Sequence, residues 1–264
     1  MTSPKLIAHR GYSSKYPENT LASIQAALDA GATYIEFDLQ MIADDEFILM
    51  HDPDLQRSSG LKKSIFSLTR STARNFNADY TSQFSGQFSG IKIPLLENIL
   101  SLFKQFPKAI PLVEIKDECL EEYGVDHVMK HLLPELKSIK DRCYIISFSY
   151  DAINYVKNNS DFKTGYVLPK YSDEFHELAD RLNPDLLICN YKKLPGLSSY
   201  RQLPEDALWP GDWLWGLYLI GDAELALEYG NSGVDFIETD HIGLLLQHDQ
   251  FSAQIESHVA DEDD

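Results

Sequence analysis

Apolar residues along the chain gather into eight runs of five to seven residues, most of them rich in β-branched and aromatic side chains. They are KLIAH (5–9), YIEFDL (34–39), PLVEIK (111–116), CYIISFS (143–149), TGYVL (164–168), LLICN (186–190), LWGLYLI (214–220) and DFIET (235–239). Each has the length and composition of a strand, and the stretches between them carry apolar positions at helical spacing. Strands alternating with helices predict an α/β protein with parallel strands.

Caps and breakers place the helices. After Pro17, Asn19 is expected as the N-cap of a helix whose apolar stripe is Leu21, Ile24 and Leu28, with Gly31 as its stop. LLENILSLFKQF follows Pro94 in the same manner, and the stretch from Glu121 to Ile139 is expected to kink or split at Pro134. SYDAINYVKNN, SDEFHELADRL and DAELALEYGNSG each follow a strand. Eight strands with intervening crossovers favour a closed (β/α)8 TIM barrel over an open doubly wound sheet, and the glycine-rich dinucleotide fingerprint is absent. One domain over residues 1–264 is expected.

Two segments interrupt the alternation. Residues of about 44–92 read as an insertion after the second strand, with an extra strand FILMHD and a tandem QFSGQFSG. That repeat reads as a surface loop, the alternative being Phe84 and Phe88 covering a pocket. Within 191–213, LPGLSSYRQLPEDALWPGDW has no helical pattern and no assigned role, and DEDD (261–264) reads as a solvated tail.

With 41 acidic against 23 basic residues the net charge is −18, which argues against nucleic acid and anionic membranes as main partners. An anionic substrate would then need a local cluster of cations or a bound metal. Cys119, Cys143 and Cys189 are odd in number and widely spaced, as expected of reduced thiols. The first strand already begins at Lys5, leaving no room for a signal peptide, and no apolar run reaches spanning length; a cytoplasmic protein without integral membrane association is expected.

In a barrel the strand ends converge on one mouth whatever their separation in sequence. His9 and Arg10 close the first strand, Glu36 and Asp38 the second, His51 and Asp52 the extra one, Glu114 and Lys116 the third, Ser147 and Ser149 the fourth. Glu36 and Asp38 at i and i+2 share one face of a strand and would repel unless a hard divalent cation, Mg²⁺ or Ca²⁺, lay between them; two solvated acids on an edge strand are the plainer reading. Glu114 and Lys116 repeat the spacing, either as an intrastrand ion pair or as a third metal ligand beside a phosphate-holding cation. Glu18, Glu36, Asp38 and Glu114 against Arg10 and Lys116 leave two negative charges, which one divalent ion cancels. Two imidazoles suit proton transfer to and from a phosphoester, although a lone histidine is more simply a hydrogen-bonded core group. His127 and His131 are four apart on a helix, but Val128 stands where zincin chemistry requires glutamate, so they read as a solvent-facing pair. His176, His241, His248 and His258 have no comparable company.

HRG, PENT, the ExD of IEFDL, HDPDLQRSSG, IPLLENIL, VEIK, ISFS and GVDFIETD occur in an order that resembles the glycerophosphodiester phosphodiesterases over nearly the whole chain. The resemblance implies metal ligands at Glu36, Asp38 and Glu114, catalytic His9 and His51, Arg10 and Lys116 near the phosphate, and Glu18 and Asn19 supporting the site. It implies metal-dependent hydrolysis of a small glycerophosphodiester to glycerol 3-phosphate and an alcohol. A phosphodiesterase of lysolipids or sphingolipids and a non-catalytic phosphodiester-binding barrel are the alternatives. Departures fall at Tyr218 and Gly221, at Ile42 and Asp45, and after Thr239-Asp240, where no proline follows. They bear on which alcohol is accepted.

Overall fold

Alternate residues of a strand face opposite sides, so a strand apolar at every position needs cover on both faces, which a barrel wrapped in helices supplies. The structure is a computed structural model that describes residues 3–195, 203–204 and 206–256. Its strands are β1 (Lys5–Ala8), β2 (Tyr34–Met41), β3 (Phe47–Leu49), β4 (Ile110–Ile115), β5 (Tyr144–Ser147), β6 (Lys163–Val167), β7 (Leu186–Asn190), β8 (Leu214–Tyr218) and β9 (Phe236–Thr239). They hydrogen-bond in the order β1-β9-β8-β7-β6-β5-β4-β2, and β2 pairs back with β1. The result is a closed, eight-stranded parallel barrel of (β/α)8 type, with β3 antiparallel on β2 outside the ring. All eight predicted strands are present, and the extra one is shortened to FIL.

The helices are α1 (Leu21–Asp29), α2 (Gln56–Ser59), α3 (Arg70–Ala73), α4 (Thr81–Phe84), α5 (Leu96–Phe103), α6 (Asp117–Tyr123), α7 (Val125–Glu135), α8 (Tyr150–Asn159), α9 (Asp173–Leu182), α10 (Ala223–Asn231) and α11 (Ile242–Leu246). Thr20, not Asn19, caps α1: its hydroxyl accepts from Ser23 N–H, and Ser23 answers at the Thr20 N–H. Asn19 instead stands at φ +55 with its amide turned to the barrel mouth. Ile24 and Leu28 of the expected stripe are buried, whereas Leu21 at its outer end is exposed. Pro134 is accommodated within α7, and the helix tightens to 3₁₀ geometry only from Leu136 to Arg142.

Inside the barrel, Ile7, Leu112, Tyr144, Ile146, Val167, Leu186, Ile188 and Phe236 form one apolar plug. Further along at period two, the inward positions become ionisable: Ile7 is followed by His9, Tyr34 by Glu36 and Asp38, Leu112 by Glu114, and Phe236 by Glu238. The plug thus floors a polar mouth. Outward residues such as Ile35, Phe37, Val113 and Ile145 pack against the helices in the larger cluster.

Residues following β2 build a second cluster of Ile42, Ile48, Met50, Leu55, Ile65 and neighbours. Phe84 packs against it, while Phe88 sits 5.2 Å from Phe84 and 5.4 Å from Tyr16, ring to ring. The tandem repeat is therefore anchored to the loop after β1, and neither phenylalanine lines the central cavity. In the proline- and tryptophan-rich stretch, Trp209 stacks on Tyr171 and His176 at 4.3 and 4.5 Å. The remainder of that stretch (196–202 and 205), His258 and the 261–264 tail lie outside the described residues.

Candidate active site

The loop after β1 is fixed by backbone geometry that few residues tolerate. Gly11 has φ +80, and a Cβ there would lie 2.5 Å from the Ser23 carbonyl carbon, so only glycine fits against α1. Arg10 and Asn19 also take positive φ, at 54° and 55°. These turns aim both side chains into the mouth and leave the Arg10 N–H donating to Glu36 Oε2 at 2.9 Å.

Glu36, Asp38 and Glu114 each bring a carboxylate oxygen within 4.8 Å of the others. The strand register explains this, because Asp38 of β2 stands opposite Glu114 of β4. Cations surround the trio: Arg10 Nε is 2.9 Å from Asp38 Oδ2, and Lys116 Nζ is 2.7 Å from Glu114 and 3.5 Å from Asp38. Asn19 donates to Asp38 Oδ2 at 2.7 Å and accepts from the Asp38 N–H at 3.0 Å. Arg10 Nη1 also reaches Glu18 at 2.9 Å.

Burial opposes ionisation of Asp38, but Arg10, Lys116 and His51 outweigh it and hold the carboxyl below its ordinary range. Glu36 goes the other way, pushed well up by burial and then by Asp38, Glu238 and Glu114. Burial and Asp38 raise Glu114 as well. Among the described residues, buried Glu36 Oε1 has no hydrogen-bond partner. An orphaned oxygen in a ring of crowded acids is what a divalent cation relieves, and a set of carboxylate oxygens suits Mg²⁺ or Ca²⁺. The residues therefore fit a hard metal ion.

The two imidazoles are each backed by a carboxylate. His9 Nδ1 is 2.7 Å from Asp240 Oδ1, and His51 Nδ1 is 2.6 Å from Asp52 Oδ1. Both aspartates are held below their ordinary range. An ionised carboxylate only accepts, so each Nδ1 carries the proton, leaving Nε2 for exchange. Burial, with Arg10 adding to it, lowers the His9 pKa despite Asp240. Ser13 Oγ steadies Asp240 at 2.7 Å, and Arg57 grips Asp52 and Glu18, both at 2.7 Å.

A cavity of about 120 Å³ opens at this mouth. His9, Arg10, His51, Glu114, Lys116 and Glu238 line its polar side, and Phe148 and Tyr218 are among its apolar walls. Of the residues expected from sequence, His9, Arg10, His51, Glu114 and Lys116 line it, Glu18, Glu36 and Asp38 bond to Arg10, and Asn19 bonds to Asp38. Ser147 and Ser149 serve elsewhere: one donates to the Ile115 carbonyl, and the other caps α8. Sequence reasoning missed Glu238, Asp240 and Arg57. Glu238 and Asp240 repeat the i, i+2 spacing of Glu36 and Asp38, a signal that was available. Glu238 is pushed up to about 8 by burial and then by Glu114, and an oxygen of it lies within 4.8 Å of ligand atoms of His9 and Glu36. Arg57 lies in HDPDLQRSSG, but nothing in that string tells which acids it meets.

Comparison with known proteins converges on one family. The family model of glycerophosphoryl diester phosphodiesterases matches residues 9–193. A glycerophosphodiester phosphodiesterase of Bacillus altitudinis is 30% identical over 149 residues, which is 56% of this chain and 60% of the relative. One from Bacillus subtilis is 30% identical over 155 residues, 56% of this chain and 53% of the relative. The chain thus spans less than two thirds of either. Among solved structures, a glycerophosphodiester phosphodiesterase from Parabacteroides distasonis superposes with a TM-score of 0.73 at 25% identity, over 96% of this chain and 98% of that one. A phosphodiesterase of Oleispira antarctica in complex with the product sn-glycerol-3-phosphate has the same fold, with a TM-score of 0.77, 23% identity and coverage of 97% and 98%.

Proposed function

The chain belongs to the glycerophosphoryl diester phosphodiesterase family, and from that premise we propose that it hydrolyses glycerophosphodiesters to glycerol 3-phosphate and an alcohol, with Mg²⁺ or Ca²⁺ held by Glu36, Asp38 and Glu114. The observation that carries this reading is that two carboxylate-backed imidazoles, a guanidinium and an ammonium face one cavity beside three crowded acids. When bound, the metal supplies charge neutralisation at the phosphate oxygens and cancels the repulsion among its ligands.

Arg10 and Lys116 hold the phosphate. Both are ion-paired to acids, so they are already oriented towards the mouth when an anion arrives. Asp240 and Asp52 fix His9 and His51 in the tautomer that presents Nε2. One imidazole, unprotonated at Nε2, takes the proton of the attacking water or glycerol hydroxyl there, and the other, which enters the step with both nitrogens protonated, gives its Nε2 proton to the departing alkoxide. A low His9 pKa keeps that imidazole neutral near neutral pH, which fits it for the accepting role. Glu18 and Asn19 keep Arg10 and Asp38 in register. The apolar wall with Phe148 and Tyr218 is where the departing alcohol rests. The alcohols this wall accepts are small, given the size of the cavity.

Release of glycerol 3-phosphate from glycerophosphocholine, followed with and without chelator, tests the reading. Chelation is expected to abolish turnover. His9→Ala and His51→Ala are each expected to lower kcat by about 10² to 10⁴. Tight binding of the diester with no turnover in any metal would instead identify a binding module. A panel of diesters then ranks the alcohols, and trapping a cyclic phosphate separates attack by the glycerol hydroxyl from attack by water.

No helix among the described residues is long and apolar enough to cross a membrane. The acidic net charge of −18, which disfavours an anionic membrane surface, supports a substrate met in water over an intact lysolipid or sphingolipid.

A further inference from the structure

The turn between β2 and β3 carries Asp45 at φ +61, outside the barrel mouth. Its carboxylate reaches two histidines one helical turn apart on α7. Oδ1 is 2.7 Å from His127 Nε2, Oδ2 is 3.8 Å from His131 Nε2, and the two imidazoles are 4.4 Å apart, centroid to centroid. One ligand atom from each of the three residues lies within 4.8 Å of the others. His131 Nδ1 is also 2.8 Å from the His127 carbonyl. A carbonyl only accepts, so Nδ1 carries the proton, and the nitrogen left with a lone pair is Nε2, the one that faces Asp45.

We infer that Asp45, His127 and His131 form a second cation site, for a borderline transition ion such as Zn²⁺. Two imidazole nitrogens with one carboxylate oxygen are the donors such an ion takes, in contrast to the all-oxygen set at the barrel mouth. Anchoring one ring nitrogen on a backbone carbonyl while the other meets the ion is how metal-binding histidines are commonly held. A plain surface ion pair accounts for the Asp45–His127 contact. It does not account for His131, which is held by the backbone with its acceptor nitrogen turned towards the same carboxylate. The three side chains are 38 to 46% exposed, so water completes the coordination shell. The ion would tie the β2–β3 turn to α7, which sequence alone holds apart by 82 residues.

The test is titration of the full chain, stripped of metal by chelator and dialysed, with ZnCl₂ in excess MgCl₂. The wild type is expected to bind one more Zn²⁺ than His127→Ala or His131→Ala, or to bind it at least about 10-fold more tightly, since even an outer-shell partner is worth that much. Both variants keep the basal hydrolytic rate, which shows that they fold. Glu36→Gln retains the extra Zn²⁺, which separates this site from the barrel mouth. In the wild type, the imidazole proton resonances of His127 and His131 shift together as that equivalent is added. Equal Zn²⁺ binding by wild type and both histidine variants, or resonances that do not respond together, overturns the proposal.

Discussion

Arg57 shows how much a single side chain can organise. It joins Glu18 of the first loop to Asp52 beside His51, and so ties together the two loops that carry the imidazoles. Asp52 is held low by the bond from His51 and, against burial, by Arg57. Glu18 is held low by Arg57 and Arg10, which outweigh its burial. A depressed carboxyl contributes stability above its unfolded pKa, about 3.9 for Asp and 4.3 for Glu. That contribution is lost as pH falls through the folded value. Arg57→Met is therefore expected to lower Tm near neutral pH, and the gap to wild type should close as pH drops below about 4. Thermal melts across that range check it, and a gap independent of pH would mean that Arg57 acts through packing alone. The residue types of the site were legible, because HRG and the paired ExD and ExK spacings are local patterns. The pairing of Asp240 with His9 and of Arg57 with Glu18 was not, since each partner lies far away in sequence: Asp240 meets His9 across 231 residues.

At the scale of elements, α1 depends on its first turn. Thr20 is fully buried, accepts from the Ser23 N–H and donates to the Pro17 carbonyl at 2.6 Å. Thr20→Ala is expected to destabilise by about 1 kcal/mol or more, the usual cost of a lost cap. Urea denaturation reads this as a lower midpoint at unchanged slope. Sequence put the cap one residue early because Asn and Thr are both good caps. The structure chose Thr20 because Asn19 is engaged with Asp38, a contact that exists only once β2 is beside the loop. The same distinction holds for Pro134. Its place in a helix was legible, but α7 carries it without breaking and passes into 3₁₀ geometry only at Leu136.

For the whole molecule, the mouth trades stability for chemistry. Closing the barrel gathers Glu36, Asp38, Glu114 and Glu238 above the apolar plug. Without metal, Glu36→Gln is expected to leave Tm equal or higher, because it replaces with a neutral amide a carboxyl whose ionisation burial and three neighbouring acids disfavour. Mg²⁺ or Ca²⁺ should raise the Tm of the wild type and not of Glu36→Gln. At about 100 times Kd the stabilisation is about 2.7 kcal/mol. Calorimetry with and without the ion measures both effects, and an equal metal response in the two proteins would place the ion elsewhere.

The sequence by itself determined the eight barrel strands, the longer helices between them, and the side of each strand on which its charges stand. These are periodic or steric properties of a few consecutive residues, so they can be read locally. Only the tertiary structure decided which charges meet. Register across β1 and β9, where Ile7 stands opposite Glu238 and Ala8 opposite Thr239, brings the far end of the chain to His9. The β2–β3 turn likewise brings Asp45 to His127. Electrostatic partnership depends on distances of a few ångströms through space, and these are set by ring closure and helix packing rather than by neighbours along the chain.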